Sequence, residues 1–300
     1  MKKHSKFALC LMLLESASRS FGQASIPILK DVTVNSNVAL IGNTFVYRYT
    51  VMNGIASSGA VGLLSIDISQ PIGGAQLDGV GLVNGQGFLQ KSSQAILSLA
   101  STVPMVPVGI ESPVNWRGSL SVTGMATWGA VSEGGLVLSG QSIIGFEISS
   151  PGLPSIRDFT AKPYIDVNTL PITPPSDAAD LPRYKLDLDA IVNKIIIHGK
   201  TIAPTAPAAM FRPADFVKTI QDYGLRALEQ GWIKNAGILN SLDQKLTAAV
   251  SAIVRGDTDS AKNVLAAFVN EVDAQSGKGL EAEAVALLKF NAQYLISRLP

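Results

Sequence analysis

The chain has 300 residues, with 24 Lys and Arg against 23 Asp and Glu, 16% charged and 47% hydrophobic. That composition excludes a disordered chain, which needs low hydrophobicity and high charge, and it offers no excess of positive charge for nucleic acid. One Cys and two His leave too few side chains for a disulfide framework or a Cys/His zinc site.

Residues 1–24 follow the plan of a secretory signal. Lys2, Lys3 and Lys6 precede the apolar run Phe7 to Leu14, and a Ser-rich stretch ends in Gly22-Gln23-Ala24. The run is too short to span a bilayer. Cys10 follows Leu9, a bulky residue where a lipid-anchor signal needs a small one. After cleavage at Ala24 the only remaining histidine is His198, and no Cys remains. The expected location is the periplasm, the cell surface or the medium.

Residues 25–168 predict strands. Phe45, Tyr47, Tyr49 and Val51 alternate onto one face, as do Leu64, Ile66 and Ile68. Ser119 to Trp128 alternates as one long strand, with Leu120, Val122, Ala126 and Trp128 on one side. Ile144, Phe146 and Ile148 align, and shorter candidates lie at Val32–Val34, Ala95–Leu99 and Tyr164–Val167. Turn clusters such as Asn53-Gly54, Glu133-Gly134-Gly135 and Ser139-Gly140 separate them. Many half-buried strands with Gly-rich turns predict an antiparallel β-sandwich.

Residues 169–210 predict a connector. Leu170 to Asp177 is Pro-rich, Tyr184 to His198 alternates as a possible last strand, and Ala203 to Ala209 is a second extended spacer. From 211 to 300 the period becomes helical. Stripes run through Phe216, Ile220, Tyr223 and Ala227; then Leu239, Leu242, Leu246, Val250 and Ile253; then Ala261, Val264, Leu265, Phe268 and Val272. A fourth runs through Leu280, Ala284, Leu287, Leu288, Asn291 and Leu295. Gly256 suits a helix C-cap, and Asp257 or Thr258 the next N-cap. Four helices with short breaks predict a small antiparallel bundle, so the fold class is multidomain, all-β followed by all-α.

Residues Gly231 to Leu242, Leu246, Gly256 to Ala261, Leu265 to Val272 and Ser276-Gly277-Lys278 together resemble the FIMAH domain, over roughly residues 213–298. This helical module lies near the C-termini of many exported bacterial proteins, often behind a catalytic domain. The resemblance implies a binding role and carries no catalytic residue. Phe290 to Leu299, Ser150 to Arg157 and Gly199 to Pro204 are similar to a group of exported bacterial proteins with an N-terminal β-domain and a C-terminal helical module.

Catalytic chemistry finds little support. A Ser/His/Asp triad would need His198, which follows three isoleucines and reads as structural or exposed. Asp67, Asp78, Glu111, Glu133 and Glu147 are the β-domain carboxylates from which a glycoside-hydrolase pair could be drawn. Asp187 and Asp189 share a face if extended, and Asp257 and Asp259 flank a helix start; neither pair makes a calcium loop. Gly79 to Gly85 lacks dinucleotide-loop spacing. Tyr47, Tyr49, Trp128 and Trp232 fall on apolar stripes. Trp116, in Pro113-Val-Asn-Trp-Arg117, is the aromatic placed best for exposure and ligand stacking. No cofactor or metal is implied. The expectation is a non-catalytic exported binding protein for a polysaccharide or a surface protein. The alternatives are a secreted hydrolase acting on glycans through the carboxylates, and a structural envelope or matrix component.

Overall fold

A computed structural model describes residues 26–69, 109–121, 124–165, 177–207 and 210–300. Residues 1–24, read as a signal, and Ala95–Leu99, Asp78, Gly79 to Gly85, Val122, Asp166, Val167 and most of the Pro-rich stretch after Leu170 lie outside the described residues.

Among the described residues nine strands build two antiparallel sheets: β1 (Thr33–Ile41), β2 (Thr44–Met52), β3 (Val61–Asp67), β4 (Gly109–Glu111), β5 (Trp116–Leu120), β6 (Met125–Ala130), β7 (Ser142–Ser150), β8 (Leu153–Pro163) and β9 (Ile197–Thr205). The orders are β1-β2-β7-β4 and β5-β6-β3-β8-β9. The alternation of Tyr47, Tyr49 and Val51 delivers them inward, where they meet Leu64, Ile66 and Trp128. Trp128 stands edge-on to Phe146 at 5.8 Å, and Trp116 does so at 4.9 Å.

Three segments differ from the sequence expectation. Ser119 to Trp128 is not one strand: β5 and β6 pair antiparallel with Leu120 opposite Ala126, and the Gly124 amide donates to the Ser121 carbonyl. Ile144 does not align with Phe146 and Ile148. Gly145, at φ 100°, forms a bulge that adds a residue opposite Tyr49 and Thr50, and so turns Ile144 outward to 71% exposure. Tyr184 to His198 is not one strand. Pro182 opens a helix, α1 (Leu181–Asn193), and the strand is displaced to β9. Tyr184, Leu188 and Val192 also recur at helical spacing, so short alternation there was ambiguous. Ala203 and Pro204, read as spacer, belong to β9. Among the described residues β9 is the last strand of its sheet, and an edge strand tolerates the missing N–H of proline.

The remaining helices are α2 (Pro213–Glu229), α3 (Ala236–Val254), α4 (Thr258–Gln275) and α5 (Ala282–Arg298). Each packs on its sequence neighbours, and α2 closes the ring against α5. The predicted caps are present. Gly256 ends α3, and the Asp257 carboxylate accepts from the Ser260 amide at 3.1 Å. Hydrogen bonds from the Ser260 hydroxyl and then from its amide hold the Asp257 carboxyl below its ordinary pKa.

The bundle is docked on the sandwich through α5, which packs on β1, β8 and β9. Leu153–Ile156 of β8 and Thr201–Pro204 of β9 are consequently buried on both faces. Two buried polar side chains of α5 fix the dock. Glu283 Oε1 accepts from the Ser36 amide at 2.6 Å, and Asn291 Nδ2 donates to the Pro154 carbonyl at 2.9 Å. Ser36 lies on β1, an edge strand, so the carboxylate takes the place of a neighbouring strand's carbonyl. Phe45 and Phe290 meet edge-on at 5.2 Å in the same contact.

Candidate functional site

A cleft of about 650 Å³ lies between the four-stranded sheet and the bundle. Its floor is the sheet's outer face, where the strand registers align one row: Asn37 opposite Arg48, Arg48 opposite Glu147, and Glu147 opposite Glu111. Arg48 Nε donates to Glu147 at 3.0 Å. Glu111 is exposed. Side chains directly opposite on neighbouring strands stand with Cβ atoms about 5 Å apart, and like charges there repel. Arg48 offsets that repulsion from one side only.

The wall comes from two loops of the bundle. Gly231 ends α2 in the left-handed region, at φ 73°, and a Cβ there would meet nothing. The turn bonds Gly231 and Trp232 amides back to the Leu228 and Ala227 carbonyls and projects Trp232 from the helix end. An antiparallel bridge, Ile233 with Leu280, then ties the loop to the α4–α5 connection. The Lys234 amide donates to Gly279 O at 3.0 Å, and the Glu281 amide to Trp232 O at 2.9 Å. Lys234 Nζ and Glu281 Oε1 close the bridge at 2.6 Å. Trp232 and Glu281 thus reach the cleft together, and Trp232 is half-buried, packed against the core while lining the cleft.

Glu283, in the first turn of α5, borders the cleft at 6% exposure. Burial raises its pKa. The hydrogen bonds from the Ser36 amide and from its own amide pull the other way, and neighbouring Glu281 raises it further. The site as a whole combines a half-buried indole with more carboxylates than cations.

Sequence reasoning expected exposure at the wrong tryptophan. Trp116 is 6% exposed and its indole Nε1 donates to Gly135 O at 2.6 Å. The residues after Pro113 turn directly into β5, so the ring enters the core and neither face is left for stacking. Tyr47, Tyr49 and Trp128 are fully inside, as read, and burial lifts both tyrosine hydroxyls well above their ordinary pKa. Glu111 and Glu147 are brought together. Asp67 is held apart by Arg157 at 3.6 Å, and Glu133 lies exposed in a short turn. Asp187 and Asp189 are two positions apart on α1, a spacing that sends them to different faces of a helix. His198 is exposed on β9. Among the described residues no three His, Cys, Asp or Glu side chains group to hold a metal ion, and no helix is long and apolar enough to cross a membrane.

Sequence reasoning also passed over Glu281 and Glu283, which lie in the module read as carrying no chemistry. The sole available signal was Glu283 among the apolar positions of α5. Residues 219–297 match the family model of the FIMAH domain. No curated protein matches the chain.

Proposed function

We propose that the protein is an exported, non-catalytic binding protein that holds a polysaccharide in the cleft between its two modules, at or outside the cell surface. The observation that carries this reading is Trp232. The bridge between the two bundle loops fixes a half-buried indole beside a row of hydrogen-bonding side chains, which is what a sugar ring needs for stacking and for its hydroxyls. Because the wall belongs to the bundle and the floor to the sandwich, neither module alone supplies the site. The test is retention of the full chain on insoluble glycans and cell-wall preparations, with Trp232→Ala as the comparison. Loss of retention with an unchanged fold supports the reading. Equal retention by the variant refutes it. Fractionation of the producing cells tests export.

A second reading, glycan hydrolysis, draws on one observation: Glu111 and Glu147 are cross-strand partners in the same cleft. Sugar released in the retention assay, and abolished by Glu111→Gln or Glu147→Gln, would establish it in place of the first.

A further inference from the structure

A second groove, of about 580 Å³, lies between the β1–β2 hairpin tip and the C-terminal half of α5. Phe45 and Leu153 form its base. Phe290 and Tyr294 form one side, both partly open to solvent. At the hairpin tip Leu40 and Ile41 are 47% and 58% exposed. Contiguous apolar surface left open to solvent marks contact sites, whereas singly scattered hydrophobics do not. The walls are also stiff. Tyr294 is packed between Phe211 and Phe216, with ring centroids 5.6 Å from each, and Phe290 is held by Phe45. Little ordering is left for binding to cost.

Charge narrows the occupant. No carboxylate lines the groove. Arg298 stands at its rim with its guanidinium 5.1 Å above the Tyr294 ring, and among the described residues no Asp or Glu forms an ion pair with it. A guanidinium stacked on a ring keeps its N–H edge free for a carboxylate. The side-chain amides of Asn43 and Gln293, both exposed on the same rim, can pair with peptide N–H and C=O groups. A polyanionic glycan would need a run of cations, and the groove has one.

We infer that this groove docks a partner protein through an apolar peptide segment that ends in a free carboxylate, the side chains lying on Phe290 and Tyr294 and the carboxylate on Arg298. The inference is separate from the glycan reading of the cleft. The test uses the full chain and an array of randomised apolar heptapeptides, each made with a free C-terminus and as the C-terminal amide. Free-acid members should bind, and their amides should bind about ten-fold more weakly, as loss of a charge-assisted pair implies. Arg298→Gln, at an exposed site, should fold normally and erase that difference. The inference is overturned if no free-acid peptide binds, if acids and amides bind alike, or if the variant keeps the preference. Binding of sodium oleate without any peptide would also overturn it, in favour of a fatty acid.

Discussion

Removing the acceptor on Glu283 should loosen the bundle from the sandwich. The Ser36 amide donates to Glu283 Oε1 at 2.6 Å, and both residues are buried, Ser36 to 2% exposure. In Glu283→Ala the Ser36 N–H loses its protein acceptor, at an expected cost of about 1–3 kcal/mol. In a protein of this size that corresponds to about 2–10 °C in Tm, if unfolding is a single transition. Glu283→Gln keeps an oxygen in the same place and should recover most of the loss. The assay is thermal and urea unfolding of all three proteins, followed by both tryptophan fluorescence and far-ultraviolet circular dichroism. Loosened docking should also separate the two module transitions. An alanine variant within about 0.5 kcal/mol of the parent, the size expected of an ordinary surface change, refutes the reasoning. So does a glutamine variant as damaged as the alanine one.

The same pair of proteins carries a pH signature. A carboxyl whose pKa is raised on folding contributes most below its ordinary value, and the contribution falls as pH rises through the folded value. The stability of Glu283→Gln relative to the parent should therefore increase from acid towards neutral pH, and a flat or opposite trend in Tm contradicts the assignment. Trp116→Phe should cost about 1–2 kcal/mol through the lost bond to Gly135 O while leaving glycan retention intact, the reverse of Trp232→Ala. Gly145→Ala forces a side chain to φ 100° and towards the Pro113 Cβ at 3.3 Å; a loss of about 1–3 kcal/mol is expected on urea unfolding. Residues 25–210 alone should self-associate on light scattering, because the β1 edge loses its cover.

What the sequence disclosed depended on how local the signal was. The bundle was legible almost entirely, because its stripes, the Gly256 cap and the Asp257 cap are written within a few residues of one another. The sandwich faces of Tyr47, Tyr49 and Leu64 were legible for the same reason. Bulges and turns were not: Gly145 and Gly124 each change a pattern that alternation alone continues. The cleft was illegible because it depends on docking. Ser36 and Glu283 are 247 positions apart, and Asn291 and Pro154 are 137 apart. Asn291 was visible on the apolar stripe of α5, but nothing local says that its partner is a carbonyl in another module. Trp232 read as core since it follows a helix stripe; it does pack against the core, and the reversal at Gly231 brings it to the cleft as well.

The dock on β1 also bears on the order in which the chain folds. β1 precedes the other described strands, yet its edge is covered by a helix whose Glu283 lies 247 positions after Ser36, and β9 reaches the sheet only after α1 has been made. Contacts of such long sequence separation form slowly. The β1 edge must wait, open to pairing with other chains, until α5 is available to cover it. The bundle has mostly local contacts and should form early once it emerges. Its arrival on β1 then ends the interval in which the nascent sandwich is most prone to aggregate.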